Sequence, residues 1–352
     1  MALADDIDIR IEGRAGRITL TRPEALNAMT YDMCMAIDAA LRDWRDDPAV
    51  ALVLFDATGD KAFCAGGDIA ELYATGRAGD FAYGRTFWRD EYRMNALLFE
   101  YPKPVVSFLQ GFTMGGGVGI GCHGSHRIVG ESSRIAMPEC GIGLMPDVGG
   151  TYILARAPGR IGEYLGLTAA RMDAADAIYV GFADHYIPQS DWEAAKAALI
   201  KSGTVEPVLS SCYHDPGVSA LQDAQGEIDL HFGSESIGFI AKSLEKDESD
   251  FAQNTLKALK RCAPLSGAAT LAALARLRSP DLDMRRALEM EYRFTYRAME
   301  HGDFLEGIRA QIIDKDRQPR WQFADLDVPV AVVEQMLAPL GENALTFEED
   351  LT

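Results

Sequence analysis

The sequence predicts an α/β fold. A continuous apolar run of the kind found in strands buried on both faces occurs at residues 50–55, and a second buried strand is predicted at residues 105–112. Around these segments, apolar residues recur every three or four positions, which is the spacing of an amphipathic helix. Strand and helix patterns that alternate along a chain of 352 residues are typical of an α/β core.

The first elements follow from their patterns in order. Ile7, Ile9 and Ile11 alternate with polar residues, glycines at 13 and 16 supply a turn, and residues 17–20 return, so a β-hairpin is predicted. An amphipathic helix that ends before Pro48 comes next, with its apolar positions at Met33, Ile37, Leu41 and Trp44.

A second set of strands and helices repeats this order. The patterns predict a helix over 87–99, a buried strand over 105–112, short strands at 127–129 and 134–137, helices to about residue 180, and a strand ending near Ile187. After residue 190 the chain is more polar and acidic, with helical patterns at 256–277 (broken at Pro264) and 284–299. We therefore predict a core domain at 1–200 and a mostly helical region at 201–352.

Composition excludes several classes of partner. A formal net charge of −19 argues against nucleic acid and anionic membranes, which bind basic surfaces. There is no apolar run long enough to span a bilayer. The acidic N-terminus resembles neither a secretory signal nor an Arg-rich transit peptide, so a cytoplasmic protein is expected.

The six cysteines are scattered, and no pair forms a CxxC motif. This pattern favours reduced thiols over a disulfide framework. Cys122, His123 and His126 lie close together, but their spacing matches no zinc motif, and we predict no metal site. Cys64 and Cys140 are interpreted as small buried residues, because no base is evident near either thiol.

Two glycine-rich turns each follow a predicted buried strand. The first contains Gly66 and Gly67, and the second contains Gly115, Gly116 and Gly117. Backbone N–H groups at such turns are free to approach a ligand, and two of them converging on one carbonyl oxygen form an oxyanion hole. Tight turns also use glycine for steric reasons, so this pattern alone is not specific.

Two carboxylates lie in an otherwise apolar loop over residues 137–150, with no Lys or Arg between them. An unpaired buried charge is costly, so Glu139 and Asp147 are candidate catalytic groups. Two structural alternatives stay open. Glu139 could accept N–H bonds from the turn at Gly141, and Asp147 could cap a helix that opens near Gly149.

These motifs resemble the crotonase (enoyl-CoA hydratase/isomerase) superfamily, and within it the 3-hydroxyisobutyryl-CoA hydrolase branch. The resemblance covers nearly the whole chain and is weakest over 200–250. The matching segments are 22–27 (RPEALN), 63–68 (FCAGGD), 114–119 (MGGGVG), 137–139 (MPE), 146–150 (PDVGG), 261–264 (RCAP), 289–293 (EMEYR), 303–310 (DFLEGIRA) and 313–316 (IDKD).

The resemblance implies a spiral of repeated ββα units with a helical C-terminal part, and a coenzyme A thioester as substrate. It also implies that the N–H groups of Gly67 and Gly116 hold the thioester oxygen. In a hydratase, one catalytic glutamate occupies the position of Gly119 and the other that of Glu139. Because this chain keeps only the second, with Asp147 as the further acid, the resemblance favours hydrolysis.

In the hydrolase branch, a glutamate matching Glu91 lines the acyl pocket and can accept a hydrogen bond from the substrate hydroxyl. A solvated helix face is the alternative for Glu91. The predicted substrate-binding residues are Glu91, Gly116, Glu139 and Asp147. Glu139 could attack the thioester carbonyl directly to give a mixed anhydride, or it could activate a water molecule.

The expected function is hydrolysis of 3-hydroxyisobutyryl-CoA, as in valine breakdown. No cofactor is expected, since coenzyme A arrives with the substrate, and a homo-oligomer is possible within this superfamily. Two rival functions remain: an enoyl-CoA hydratase or isomerase, and a non-catalytic acyl-CoA-binding protein.

Overall fold

The computed structural model describes residues 6–347. The strands within this range are β1 (Ile7–Glu12), β2 (Ala15–Leu20), β3 (Leu52–Ala57), β4 (Ala62–Cys64), β5 (Val105–Phe108), β6 (Phe112–Met114), β7 (His126–Val129), β8 (Arg134–Ala136) and β9 (His185–Tyr186). No strand follows β9 within the described residues, so the prediction of a mostly helical C-terminal region is confirmed.

The helices alternate with the strands and then replace them. They are Tyr31–Arg45, Ala70–Arg77, Ala82–Phe99, Gly116–Gly121, Gly150–Arg156, Ile161–Thr168, Ala174–Val180, Trp192–Ser202, Glu206–Ser211, Ala220–Asp223, Gln225–His231, Ile237–Glu245, Asp250–Leu259, Pro264–Leu277, Met284–His301, Phe304–Ile308 and Val330–Leu337. A π-helix continues the chain at Arg309–Ile313, and short 3-10 helices lie at Pro23–Ala25, Glu139–Ile142, Gln189–Asp191 and Gly341–Asn343.

Successive strands are divided between two sheets. One sheet has the order β1-β2-β3-β5-β7-β9, and the other has the order β4-β6-β8. β1 and β2 form the predicted antiparallel hairpin, and all other strand pairs are parallel. The pairs β3/β4, β5/β6 and β7/β8 therefore each contribute one strand to each sheet. This arrangement is the predicted spiral of ββα units.

The predicted single strand over 105–112 is wrong in one respect, because the structure divides it into β5 and β6. The division occurs at Gly111, which has a φ of +57°. A Cβ atom at this position would lie 2.1 Å from the carbonyl oxygen of Lys61. The backbone turns sharply there, so the following residues join the other sheet.

The chain packs into two compact units, each formed from separate segments. Unit 1 comprises the described parts of Met1–Asp68, together with Met94–Ala136 and Arg171–Gln222. Unit 2 comprises Ile69–Arg93, Met137–Ala170 and the described part of Asp223–Thr352. These units are divided differently from the predicted domains 1–200 and 201–352. Compactness alone does not establish independent folding, so the predicted domains stay a prediction.

Unit 1 contains every described strand. Apolar side chains from its six-stranded sheet pack against the helix Trp192–Ser202, with Phe108 and Trp192 in edge-to-face contact at 5.4 Å between ring centroids. This unit also buries a charged group, Asp56 on β3. Its carboxylate accepts hydrogen bonds from Arg17 Nη2 at 2.6 Å and Thr19 Oγ1 at 2.7 Å, and it pairs with Lys196 Nζ at 3.2 Å.

The described residues of unit 2 form helices and connecting loops, with no strand among them. Its helix Pro264–Leu277 begins at a proline, whose missing N–H costs no hydrogen bond in a first turn, and this confirms the predicted break at Pro264. Its helix Met284–His301 begins where the side chain of Asp283 accepts a hydrogen bond from the N–H of Arg286. Unit 2 also holds the loop over residues 137–150.

Candidate active site

The two glycine-rich turns lie at the same edge of the three-stranded sheet in unit 1. Because β4 and β6 are parallel neighbours, the turns that follow them emerge side by side. They also approach closely, since a Cβ atom on Gly117 would lie 2.1 Å from the carbonyl oxygen of Cys64. The structure thus brings Gly67 and Gly116 to one sheet edge.

The backbone at both turns leaves N–H groups available. Gly116 is the first residue of the helix Gly116–Gly121, a position whose N–H has no intrahelical acceptor, and Gly115 before it has a φ of +49°. Among the described residues, no backbone hydrogen bond is donated by the N–H of Gly67 or Gly116. Gly119 is buried within the same short helix and carries no side chain that could act as an acid.

The structure gathers four buried carboxyl groups within unit 2. Glu91, Glu139 and Asp147 are each 4% exposed, and Glu291 is fully buried. The sequence predicted the first three as site residues. The fourth was present only in a matching segment, without a role.

Glu139 opens a 3-10 helix, and both of its carboxylate oxygens are buried without a hydrogen-bond partner among the described residues. The N–H of Gly141 donates instead to the carbonyl oxygen of Pro138, so the alternative role of Glu139 as an acceptor for this turn is wrong. Burial raises the pKa of Glu139 well above its ordinary value, and the charges of Asp147 and Glu291 raise this pKa further.

Asp147 accepts a hydrogen bond of 2.7 Å from the hydroxyl of Tyr92 to its Oδ2 atom. It does not cap a helix: Gly149 occupies the N-cap position of the helix Gly150–Arg156, and no side chain bonds there. Burial raises the pKa of Asp147 to about 7, and the hydrogen bond from Tyr92 acts in the opposite direction.

Glu91 lies on the helix Ala82–Phe99 and faces the interior. The alternative of a solvated helix face is therefore wrong. Burial raises the pKa of Glu91 well above its ordinary value, and the neighbouring charges of Asp147 and Glu291 add to this rise.

Glu291 lies on the helix Met284–His301 and holds the backbone that follows Asp147. Its Oε2 accepts from the N–H of Gly149 at 2.8 Å, and its Oε1 accepts from the N–H of Thr151 at 2.9 Å and from the Thr151 hydroxyl. Burial raises the pKa of Glu291 to about 8 despite these three hydrogen bonds. No short-range pattern connects this residue to the loop, because 142 positions separate it from Gly149.

Buried carboxyl groups with raised pKa values suit acid–base chemistry near neutral pH. A group whose pKa lies close to the working pH can both donate and accept a proton. The charge of Asp147 raises the pKa values of Glu91, Glu139 and Glu291 beyond the effect of burial, so these groups retain protons where isolated carboxyl groups would have lost them. In its deprotonated form, an unpartnered carboxyl such as that of Glu139 is available to attack a carbonyl carbon or to bind a water molecule.

The cysteines near these segments are shielded from solvent. Cys64 and Cys140 are fully buried, as predicted, and burial raises the pKa of the Cys140 thiol well above its ordinary value. Within residues 6–347, no group of His, Cys, Asp and Glu side chains has the arrangement of a metal site. In the same range no helix is both long enough and apolar enough to cross a membrane.

The fold and these residues define a member of a known family. The family model for enoyl-CoA hydratase/isomerase matches residues 15–337. The chain therefore belongs to the enoyl-CoA hydratase/isomerase family, which is the resemblance that its motifs indicated.

Individual relatives carry three descriptions. The 3-hydroxyisobutyryl-CoA hydrolase, mitochondrial, of Gallus gallus is 37% identical over 97% of this chain and 91% of that protein. The Homo sapiens protein of the same name is 36% identical over 98% of this chain and 91% of its own length. A crystal structure of an enoyl-CoA hydratase from Rhodobacter sphaeroides 2.4.1 has a TM-score of 0.94 and 56% identity, covering 97% of this chain and all (100%) of that one. A carnitinyl-CoA dehydratase from Mycobacterium thermoresistibile has a TM-score of 0.93 and 38% identity, covering 98% of this chain and 99% of that one.

Proposed function

We propose that this protein hydrolyses the thioester bond of a short-chain 3-hydroxyacyl-CoA, with 3-hydroxyisobutyryl-CoA as the preferred substrate. The products are 3-hydroxyisobutyrate and coenzyme A, as in valine breakdown. Relatives that share more than a third of their residues with this chain, over nearly its whole length, carry the name of this activity.

The observation that carries the proposal is the set of acids in the loop over residues 137–150. Glu139 is buried with both carboxylate oxygens unpartnered, and Asp147 lies close enough to raise its pKa. Gly119 takes the place where the hydratase pattern has its other glutamate. An acid is thus present at Glu139 and Asp147 but not at Gly119, which favours thioester cleavage over water addition to a double bond.

Each residue has a role in the proposed reaction. The N–H groups of Gly67 and Gly116 stabilise the negative charge that develops on the thioester oxygen. Glu139 either attacks the carbonyl carbon, releasing the thiolate and forming an anhydride that water then cleaves, or removes a proton from the attacking water. Asp147 protonates or positions the reacting groups, and Glu91 accepts a hydrogen bond from the 3-hydroxyl.

The reaction as proposed consumes only the thioester and water. We accordingly propose that the protein uses no cofactor and that its substrate is a small acyl-CoA rather than a nucleic acid. A cytoplasmic location stays a prediction from the sequence. Homo-oligomer formation also stays a prediction. A protein that binds acyl-CoA without cleaving it would differ by giving tight binding and no turnover.

Hydration of an enoyl-CoA is the second candidate, because the Rhodobacter sphaeroides structure with 56% identity is described as an enoyl-CoA hydratase. The two reactions leave different products. Hydrolysis releases a free thiol, whereas hydration consumes the enoyl thioester absorbance and leaves the thioester bond intact.

The deciding experiment measures free-thiol release from 3-hydroxyisobutyryl-CoA, isobutyryl-CoA and crotonyl-CoA, with wild-type protein and with Asp147→Asn. We expect rapid release from the hydroxylated substrate, slow release from isobutyryl-CoA, and a large loss in the variant. Consumption of crotonyl-CoA without thiol release would assign the protein to the hydratases. Full thioesterase turnover by Asp147→Asn would remove Asp147 from the mechanism.

A further inference from the structure

The loop that carries Asp147 has a strained backbone. Val148 has a φ of +53°, a left-handed conformation that β-branched residues rarely adopt. Gly149 follows with a φ of +81°. Such a conformation persists only where the surrounding structure holds it in place, and it is concentrated at functional sites.

Glu291 supplies that restraint. Its carboxylate binds the two N–H groups on either side of Gly150, at 2.8 Å from Gly149 and 2.9 Å from Thr151, and it also accepts from the Thr151 hydroxyl. The backbone that immediately follows Asp147 is therefore fixed at two points by one side chain from a distant helix.

Tyr92 fixes the side chain of the same residue. Its hydroxyl is 2.7 Å from Asp147 Oδ2 and 3.4 Å from Thr295 Oγ1, and Thr295 lies one turn after Glu291 on the helix Met284–His301. Tyr92 itself is fully buried and makes an edge-to-face contact with Tyr292 at 6.1 Å between ring centroids. The aromatic ring thus has little freedom to move, and the carboxyl of Asp147 is held through Oδ2.

We infer that Tyr92 and Glu291 are positioning residues of Asp147. Tyr92 holds the side chain of Asp147, and Glu291 holds the backbone that follows it. This inference rests on the proposed role of Asp147 in catalysis. Neither residue needs to touch the substrate: together they hold the Asp147 carboxyl in one orientation, and Tyr92 also keeps its pKa from rising further.

The main test is a double-mutant cycle with Tyr92→Phe and Asp147→Asn. Tyr92→Phe removes only the hydroxyl, and we expect kcat to fall about tenfold to 100-fold, the loss typical of a misplaced reacting group, with KM unchanged. In the Asp147→Asn background the same substitution should have no further effect, because its route of action is already lost. Independent, multiplying effects of the two substitutions would overturn the inference.

The pH profile gives a second readout that a structural role would not move. Removing the Tyr92 hydroxyl removes a hydrogen bond that lowers the pKa of Asp147. The limb of the kcat profile that reports Asp147 should therefore move to higher pH in Tyr92→Phe, whichever protonation state of Asp147 is the active one. An unmoved limb in a variant with reduced kcat would contradict a role through Asp147.

For Glu291, we use Glu291→Gln together with two substitutions of its hydrogen-bond donor, Thr151. Glu291→Gln should lower kcat because its amide can no longer accept from both N–H groups. Thr151→Val removes the donating hydroxyl and should lower kcat, whereas Thr151→Ser keeps the hydroxyl and should restore most of it. Equal activity of the valine and serine variants would contradict the role of this contact.

The matched control is Tyr292→Phe. Tyr292 is also a buried tyrosine, and its hydroxyl donates to the carbonyl oxygen of Arg85 at 3.0 Å rather than to an acid. Tyr292→Phe keeps the ring that contacts Tyr92 and removes only the hydroxyl, so it should leave the cycle and the pH profile unchanged even if it lowers stability. If wild-type protein releases no thiol but hydrates crotonyl-CoA, the proposed function fails, and the same cycle is then measured on hydration. The two conclusions can therefore fail separately.

Discussion

The two units bury carboxylates in opposite ways. In unit 1, burial raises the pKa of Asp56, but hydrogen bonds from Arg17 and Thr19 and the charge of Lys196 outweigh it and lower the pKa below its ordinary value. In unit 2, Glu139 has no hydrogen-bond partner among the described residues, and burial raises its pKa. A carboxyl group whose pKa is lowered on folding stabilises the folded state near neutral pH, whereas one whose pKa is raised costs stability there and is a candidate functional group.

The contrast also exists within unit 2. Glu163 is 3% exposed, and it pairs with Arg278 at 2.6 Å and Arg160 at 2.9 Å. Burial alone therefore does not distinguish the catalytic candidates. What distinguishes them is burial among other carboxyl groups.

The largest expected effect comes from replacing the unpartnered carboxyl group of Glu139 with an amide, compared with the same replacement at Glu163, which pairs with arginines. Glu139→Gln should lower kcat/KM for 3-hydroxyisobutyryl-CoA by about 10³-fold, within the range for loss of a catalytic acid or base, without lowering the thermal midpoint. Glu163→Gln should lower the thermal midpoint and leave kcat/KM unchanged. Thiol release and thermal unfolding of both variants check this pair, and a Glu139→Gln variant that unfolds early would contradict it.

The next effect concerns selectivity. Glu91→Ala should reduce the preference for 3-hydroxyisobutyryl-CoA over isobutyryl-CoA about tenfold, the size expected for the net contribution of one hydrogen bond. The check is the ratio of kcat/KM values for the two substrates. Asp90→Ala is the control on the same helix, since Asp90 pairs with Arg89 at 2.9 Å. Unchanged selectivity in Glu91→Ala would remove the residue from the acyl pocket.

A smaller effect is expected in unit 1. Asp56→Asn should destabilise the protein by about 3 kcal/mol, because it leaves Arg17 and Lys196 without their shared partner. Turnover by the remaining folded protein should be unchanged. Urea unfolding monitored beside thiol release tests both parts, and a loss of kcat at full stability would contradict a purely structural role.

The smallest expected effect is a change in how steeply the free energy of unfolding depends on pH. A carboxyl group whose pKa is raised on folding binds more protons in the folded state, so its contribution to stability falls as pH rises. For Asp147 this fall lies between its ordinary pKa of 3.8 and about 7. The free energy of unfolding of Asp147→Asn should therefore decline less steeply across this interval than that of wild type. An identical slope would contradict the raised pKa.

Local patterns predicted much of this architecture. The hairpin, the helix Tyr31–Arg45 and the two glycine-rich turns depend on residues close in sequence, and the structure contains all of them. The boundary at Gly111 was missed, because its positive φ depends on a close approach to Lys61, which periodicity does not report.

The residues of the candidate site also fall into those that the sequence could predict and those that it could not. Glu139 and Asp147 could be predicted because their loop contrasts with its apolar surroundings, and Glu91 because it matched a family position. Tyr92 and Glu291 could not be assigned a role, since an aromatic residue beside an acid and a glutamate within a helix are common patterns. Their roles depend on contacts across 55 and 142 positions of the chain. Such contacts are set by tertiary packing.

The clamp by Glu291 has a consequence for the order in which the protein is made. The ribosome adds residues at about 5–20 per second, so the acceptor for Gly149 is synthesised roughly 7–28 s after the loop itself. Until the helix Met284–His301 has emerged and docked, the N–H groups of Gly149 and Thr151 lack the acceptor that they have in the folded protein. The loop that carries Asp147 therefore gains this restraint only late in synthesis.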